Sequence, residues 1–176
     1  SEADTAVWLP KERVLWAAQD PLDLQAQAPP ALQLFEHEPL ALSGDFAPAD
    51  ASAGPLAQPR GLTVDEDDRL FIAQAGARSV LVYDLFDRRL LRRVALAGQP
   101  FDLAGDTRFV YALLDSPPGL VRFSARSLPQ RLALTTQAMR PARLTLSPDQ
   151  RLLVLDRAAG AQARVLDAES GALVAN

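Results

Sequence analysis

Apolar and polar residues alternate in short runs along most of this chain, and turn-forming residues interrupt the runs every six to nine positions. Runs such as RLFIAQ, from Arg69, and SVLVYD, from Ser79, are short and rich in β-branched and aromatic residues, which favours strands over helices. Their near-continuous apolar character is typical of strands that are covered on both faces. The pattern therefore predicts an all-β structure with almost no helix.

The same order of runs recurs along the chain. Three segments open with a polar residue and a proline and carry a leucine three positions after the proline; the prolines are Pro59, Pro100 and Pro141. Two equal intervals of 41 residues therefore separate the copies. A helical repeat would need apolar residues at helical spacing over ten or more positions, and turn residues interrupt every such stretch. Four antiparallel strands in a repeat of about 40 residues are typical of a β-propeller blade.

The repeat divides the chain into blades at residues 59–99, 100–140 and 141–176. The last blade stops early, because its final strand pattern, GALVAN, is shorter than RLLRRVAL in the first copy. Residues 1–58 are less regular. They fit either a degenerate first blade or a lead-in segment that packs Trp8 and Trp16 against the first full blade.

An open arc of three or four blades would leave an apolar blade face and strand edges exposed at its ends. We therefore expect an incomplete ring, which further chain, another subunit or partner proteins complete. A closed ring of four blades is the alternative.

The first copy carries the most specific pattern, P-x-G-L-x-V-D-x-D-x-x-L-F-I-A followed by R-x-V-L-V-Y-D. This pattern resembles the NHL repeat and the related β-propeller repeats of the YVTN type and of SMP-30/gluconolactonase-like proteins. The resemblance covers residues 59–176. It implies a propeller but not one activity, because propellers of this kind include scaffolds, RNA-binding domains and enzymes. NHL-like repeats of phage-tail-like bacterial assemblies are one context that the chain resembles.

Composition and charge indicate which classes of partner the chain can bind. The chain of 176 residues is 48% hydrophobic and 23% charged with a net charge of −4, which is ordinary for a globular protein and does not favour nucleic acid. No apolar run approaches the roughly 18 residues of a membrane span, and no signal peptide is visible. Lys11 is the only lysine, which indicates GC-rich bacterial coding. We expect protein partners, no membrane and no nucleic acid, and the compartment stays unknown.

The sequence contains few of the residue types that usually carry catalysis or bind metals. The chain has no cysteine, His37 is its only histidine and Asn176 its only asparagine, which leaves little for a histidine metal site, a triad or the metal centre of a lactonase-like propeller. The densest acidic cluster is Asp65, Glu66, Asp67 and Asp68. It lacks the glycine of a calcium loop and is typical of a solvated turn. Turn chemistry also accounts for Asp84, Asp156 and Asp167. We predict no catalytic residue, no metal and no cofactor.

Eight residues are candidates for partner binding. Four of them form a basic patch in DRRLLRRVAL: Arg88, Arg89, Arg92 and Arg93. Strand alternation predicts Arg88 and Arg92 on one face with Leu90, and Arg89 and Arg93 on the other with Leu91. On an outermost strand these charges lie in water and prevent the sheet edge from pairing with another strand. Arg92 should therefore add little to the stability of the fold. An acidic partner, or RNA, is the functional alternative.

The other four candidates stand around the repeat's prolines, near one rim of the expected central channel; they are Arg60, Phe101, Arg140 and Arg143. They either line a ligand surface or tie neighbouring blades together. The alternation also predicts a buried set: Leu62, Val64, Leu70, Ile72, Val80, Val82, Leu103, Val110, Leu144, Leu146, Leu153 and Leu155.

These patterns favour a non-enzymatic β-propeller scaffold that mediates protein–protein contact. A structural component of a larger, phage-tail-like assembly is one protein of this kind. A metal-dependent, sugar-lactonase-like propeller enzyme and an RNA-binding NHL domain are the alternatives.

Overall fold

A computed structural model describes residues 3–9, 13–18, 32–36, 41–46, 48–49, 51–52, 54–132, 140–157 and 162–175, with backbone only for those before residue 46. Every regular element within these ranges is a β-strand, which confirms the predicted all-β fold. No helix long and apolar enough to cross a membrane occurs in this part of the chain.

Four antiparallel sheets of four strands each make up the described fold, and strands adjacent in sequence pair with each other. The first sheet holds β1 (Ala3–Leu9), β2 (Arg13–Ala18), β3 (Leu32–Glu36) and β4 (Ala41–Asp45). The second holds β5 (Pro59–Val64), β6 (Arg69–Gln74), β7 (Ser79–Asp84) and β8 (Leu90–Ala95). The third holds β9 (Gln99–Gly105), β10 (Val110–Ser116), β11 (Pro118–Phe123) and β12 (Gln130–Leu132). The fourth holds β13 (Pro141–Leu146), β14 (Arg151–Asp156), β15 (Gln162–Asp167) and β16 (Leu173–Ala175).

The first strand of each sheet is the innermost, and these strands pack in chain order: β1 against β5, β5 against β9, and β9 against β13. No comparable packing joins β13 to β1 among the described residues. The sheets therefore form an open arc of propeller blades, as expected for an incomplete ring. The division into a degenerate first blade or lead-in segment at residues 1–58 and three blades after it stays a prediction.

Apolar side chains fill the spaces between successive sheets. Phe71 and Val82 of the second sheet pack with Leu103 and Phe123 of the third. Leu113 of the third sheet packs with Leu152 of the fourth. Because β6 and β10 have a neighbour on each side, their side chains are buried on both faces, as their apolar runs predicted. Eight of the predicted core positions are buried: Leu62, Leu70, Ile72, Val80, Val82, Leu103, Val110 and Leu144.

The last sheet departs from the predicted core. Leu155 is 41% exposed, so its predicted burial is wrong, and Leu153 is only half-buried. Leu152 and Val154, which point toward the third sheet, are fully buried. The reason is that the opposite side of β14 has no neighbouring sheet among the described residues. Val64 and Leu146 are also half-buried.

Successive turns lie alternately at the two ends of the strands, which gives the arc two faces. We call one the proline face; it holds the starts of the innermost strands at Pro59, Pro100 and Pro141 and the turn between β6 and β7. We call the other the aspartate face; it holds the turns that follow β5, β9 and β13 and those that follow β7, β11 and β15.

Candidate functional site

Neighbouring blades meet most closely at the residue that lies two positions after the repeat's proline. In the third sheet this residue is Asp102, whose side chain is buried. Its Oδ2 accepts a hydrogen bond from the backbone N–H of Leu144 in the fourth sheet at 2.8 Å, and its Oδ1 accepts one from Leu103 N–H at 2.9 Å. Asp102 therefore ties β9 to β13, because it satisfies a buried backbone donor across the boundary between blades.

In the second sheet the same position is Gly61. A Cβ placed on Gly61 would lie 2.7 Å from the nitrogen of Leu103 and 2.8 Å from both Cα and Oδ1 of Asp102. Carbon atoms at such distances overlap, so β5 can approach β9 this closely only because the residue is glycine.

In the fourth sheet the same position is Arg143, which is exposed. Its partner across the sheet is Leu155, and both point away from the third sheet. A guanidinium group has donors and no acceptor, so Arg143 cannot accept a backbone N–H bond as Asp102 does. The structure thus places this candidate at the free end of the arc.

Arg143 belongs to a sheet surface that no described residue covers. We call this surface the open face; it consists of Arg143, Thr145, Leu153, Leu155, Ala163 and Val165, which the strand register places on one side. Residues at the matching positions of the second sheet are fully buried: Phe71, Ala73, Val80 and Val82. Thr145 itself is exposed, whereas the matching Thr63 and Ala104 are only 9% and 8% exposed. The open face is therefore a blade surface without its neighbour.

Arg92 lies between blades and not in water. It is half-buried, and its Nη1 donates hydrogen bonds to the carbonyl oxygens of Ala125 (3.0 Å) and Ser127 (2.9 Å), in the connection between β11 and β12. The prediction of a solvated edge arginine is wrong, because this connection reaches across from the neighbouring blade.

The predicted alternation of the basic patch is also wrong. A register shift at Leu91 pairs Leu90 with Tyr83 and Arg92 with Val82. This β-bulge turns Leu90 to the side of the second sheet that faces the first sheet, and Arg92 to the side that faces the third. The four arginines therefore do not form one surface.

The other three arginines of the patch occupy different environments. Arg93 shares the side of Leu81, and its Nη1 donates to Oε1 of the buried Gln74 at 3.4 Å. Arg88 and Arg89 precede β8 in an exposed turn, where Arg88 has a positive φ of 55°. Arg93 is exposed as well, so Arg92 is the half-buried member of the four.

The acidic cluster builds a turn. Oδ1 of Asp65 accepts hydrogen bonds from the backbone N–H groups of Asp67 (3.1 Å) and Arg69 (3.0 Å), and its Oδ2 lies 2.7 Å from Nε of Arg69. Asp106 and Ser147, at the same position of the next two copies, accept backbone N–H bonds in the same way. These bonds support the turn interpretation. Within the described ranges no group of three or more His, Asp or Glu side chains is placed to hold a metal ion.

Three further aspartates were assigned to turns, and one of the assignments is wrong. Oδ1 of Asp84 accepts hydrogen bonds from the backbone N–H groups of Phe86 (3.0 Å) and Asp87 (2.8 Å), which supports its assignment. Asp167 does accept hydrogen bonds from the N–H and hydroxyl of Ser170, and these bonds lower its pKa. Asp156, in contrast, is buried inside the fourth sheet. Its Oδ1 accepts a bond from Arg140 N–H (2.9 Å), and its Oδ2 lies 3.0 Å from Nη2 of Arg164. It fixes the start of β13.

Arginine and aromatic side chains also meet on the third sheet. The guanidinium of Arg122 lies 4.6 Å from the ring centroid of Phe109, and Arg122 neighbours the buried Tyr111 across the strands. Burial raises the pKa of the Tyr111 phenol, since the charged form loses hydration; the nearby carboxylate of Asp106 raises this pKa further.

The remaining candidates lie on the proline face. The guanidinium of Arg60 stands over the ring of Phe101 at 5.4 Å, which is a cation–π contact between the second and third sheets. Arg140 is exposed, and its carbonyl oxygen accepts a bond from the N–H of Arg157 at 2.8 Å. His37 lies outside the described residues.

Comparison with known proteins identifies the fold. Neither a protein-family model nor a curated protein matches this chain. Among solved structures it is similar to hydrazine synthase of Kuenenia stuttgartiensis, with a TM-score of 0.73 and 16% identity over 99% of this chain and 48% of that one. It is also similar to virginiamycin B lyase from Staphylococcus aureus, with a TM-score of 0.71 and 13% identity over 97% of this chain and 53% of the lyase. A third similar structure is the β-propeller domain of Cps50 (Swd1) from Myceliophteria thermophila, with a TM-score of 0.65 and 12% identity over 97% of this chain and 53% of that one.

At these identities the similarity concerns the fold alone, and these structures include enzymes as well as a propeller domain. The chain spans about half the length of the solved chains it matches. The NHL and YVTN resemblance stays a prediction. The chain is a segment of β-propeller, built from four-stranded antiparallel blades in an open arc.

Proposed function

We propose that this chain is a non-enzymatic β-propeller scaffold that acts through protein–protein contact. Its open face is the contact surface, and the occupant is another four-stranded propeller blade. The observation that carries the proposal is the exposure of Thr145 and Leu155, and the partial exposure of Leu153, at positions that are buried wherever a neighbouring blade is present.

The chemistry of the open face suits a blade as its occupant. In the second and third sheets the matching surface is covered by the innermost strand of the next blade, which carries the repeat's leucine toward it. The open face offers the same strip of apolar side chains, and Leu155 alone is 41% exposed. Full burial of an exposed leucine side chain is worth about 1.5–3 kcal/mol, so covering the exposed 41% of Leu155 would contribute about 1 kcal/mol. In the purified protein the only available blade belongs to a second copy of the chain.

Polar side chains that bind backbone groups of other strands support a scaffold role. Asp102 and Asp156 are buried and bonded to backbone N–H groups, and Arg92 bonds to backbone carbonyls of the next blade. These side chains hold strands and blades in place. A stiff arc that another subunit completes fits a structural component of a larger, phage-tail-like assembly.

The proposal is tested by sedimentation velocity of the wild-type chain and two variants over a range of concentrations. Leu155→Glu places a charge on the open face. Leu128→Glu is the matched control, because Leu128 is 81% exposed in the connection between β11 and β12. We expect the wild type and Leu128→Glu to associate beyond the 19.0 kDa of one chain, and Leu155→Glu to remain a monomer. Equal behaviour of all three proteins would contradict the proposal.

Metal analysis of the purified chain tests the enzymatic alternative. Stoichiometric, tightly held Ca²⁺ together with lactone hydrolysis would replace the scaffold proposal by a lactonase-like one.

A further inference from the structure

The two faces of the arc differ in charge. Most carboxylates of the described residues lie at turns of the aspartate face, including the cluster from Asp65 to Asp68. Two arginines at that face are neutralised, since Arg69 pairs with Asp65 and Arg151 with Asp167. The acidic net charge of the chain arises elsewhere, because residues 1–50 contribute −7 and residues 51–176 contribute +3.

The proline face is basic. In the second, third and fourth sheets its strand starts and turns carry Arg60, Arg78, Arg140 and Arg157, and the exposed carboxylate there is Asp115. The ion pairs formed by the described residues involve none of these four arginines. Asp102 and Asp156 are the two buried aspartates of this region, and their oxygens bind backbone N–H groups inside the blades.

The four arginines lie on the proline face of the second and fourth sheets. Arg60 opens β5 and lies over Phe101 of β9, whereas Arg78 ends the turn before β7. Arg140 and Arg157 lie side by side at the start of the fourth sheet, joined by their backbone hydrogen bond of 2.8 Å. Arg78, Arg140 and Arg157 are exposed, so their guanidinium groups are available to a ligand.

We propose that the proline face binds an acidic segment of a partner protein, whose carboxylates pair with Arg60, Arg78, Arg140 and Arg157. Guanidinium groups bind carboxylates in a bidentate manner, and such charge-assisted bonds are the stronger ones. The net charge of −4 does not prevent this binding, because screening at physiological salt limits the field of charges elsewhere on the chain to about 8 Å. This surface is separate from the open face, so the inference goes beyond the proposed function and does not rest on it.

A polypeptide fits this surface better than a nucleic acid does. Proteins that bind single strands combine a basic groove with several aromatic side chains on which successive bases stack. Here Phe101 is the aromatic residue beside the arginines, and its ring already lies under Arg60.

Fluorescence anisotropy with a labelled peptide of alternating glutamate and glycine tests this inference, with glutamine in place of glutamate in the matched peptide. The double variant Arg140→Gln/Arg157→Gln removes two charges from the proline face. The control, Arg89→Gln/Arg126→Gln, removes two exposed arginines from the aspartate face. We expect the proline-face variant to bind the acidic peptide at least tenfold more weakly, the control to change less than twofold, and the glutamine peptide not to bind.

Three results would overturn the inference. They are the absence of binding by the acidic peptide in low salt, an equal loss in both double variants, and tighter binding of a single-stranded RNA oligonucleotide than of the peptide. The last result would assign the face to nucleic acid. None of these results depends on association through the open face, since Leu155→Glu can serve as the background protein.

Discussion

Replacing Gly61 by alanine should force apart β5 and β9, the innermost strands of the second and third sheets. The added Cβ would lie 2.7 Å from Leu103 N and 2.8 Å from Asp102 Cα, and both are backbone atoms of the neighbouring innermost strand. Neither atom can rotate away, so β5 and β9 must separate. The separation also loosens Asp102, whose Oδ1 lies 2.8 Å from the same Cβ. Overpacking of this kind costs about 1–3 kcal/mol, and we expect the upper part of that range because backbone is displaced.

Gly119→Ala is the matched control. Gly119 is a buried glycine in β11, and the atom nearest to its added Cβ is Nη2 of the Arg131 side chain at 3.5 Å, which is ordinary contact. Alanine in a strand is more favourable than glycine by about 0.5–1 kcal/mol when space permits. Gly119→Ala should therefore be neutral or slightly stabilising.

Urea denaturation followed by circular dichroism measures both variants in the Leu155→Glu background, which keeps association out of the comparison. We expect Gly61→Ala to lower the free energy of unfolding by about 2–3 kcal/mol with an unchanged m-value, and to lower Tm by about 4–12 °C. If Gly61→Ala and Gly119→Ala unfold within about 0.5 kcal/mol of each other, the inferred close approach of β5 and β9 is incorrect.

Three further changes test other contacts. Arg92→Ala should lower the free energy of unfolding by about 1.5–3 kcal/mol in the same urea assay, since it removes two charged hydrogen bonds. A loss below about 0.5 kcal/mol would contradict the inferred contact of Arg92 with the neighbouring blade. Ile72→Ala should cost about 2–5 kcal/mol and Leu153→Ala clearly less, because Ile72 is fully buried and Leu153 lies on the open face; the reverse order would contradict the assignment of faces. The raised pKa of Tyr111 keeps its phenol neutral in the folded state, so the unfolded chain ionises first and stability should fall as pH rises above about 10; Tyr111→Phe should reduce that fall in urea titrations at about pH 8 and pH 11, and an identical fall in both proteins would refute the role of Tyr111.

The architecture is readable from the sequence because each blade repeats the same local choices. In the second, third and fourth sheets a proline stands at the start of the innermost strand, and a leucine three positions later packs toward the preceding blade. Turn residues recur with the same spacing, as Asp65 and Asp106 illustrate. Local patterns of this kind need no knowledge of the neighbouring blade.

The errors arise where a neighbouring blade decides the outcome. Leu155 has the same sequence pattern as Ala73 of the second sheet, yet it is exposed because nothing described lies beside it. Arg92 reads as an edge charge, but a bulge at Leu91 and a connection from the next blade bury it. One feature of the sequence could have drawn attention to Asp102. The position two residues after the repeat's proline differs in every copy, since it is Gly61, Asp102 and Arg143 in turn.

Thiol reactivity tests the central claim, that the open face is a blade surface made to receive another blade. The chain contains no cysteine, so Thr145→Cys and Thr63→Cys each introduce a single thiol at the same repeat position. We expect the buried thiol of the Thr63→Cys variant to react slowly at every protein concentration. The thiol of the Thr145→Cys variant should react fast in dilute solution and become protected to a similar level as the chain associates. Fast reaction of the Thr145→Cys thiol at all concentrations, in a chain that sediments as a 19.0 kDa monomer, would contradict the claim.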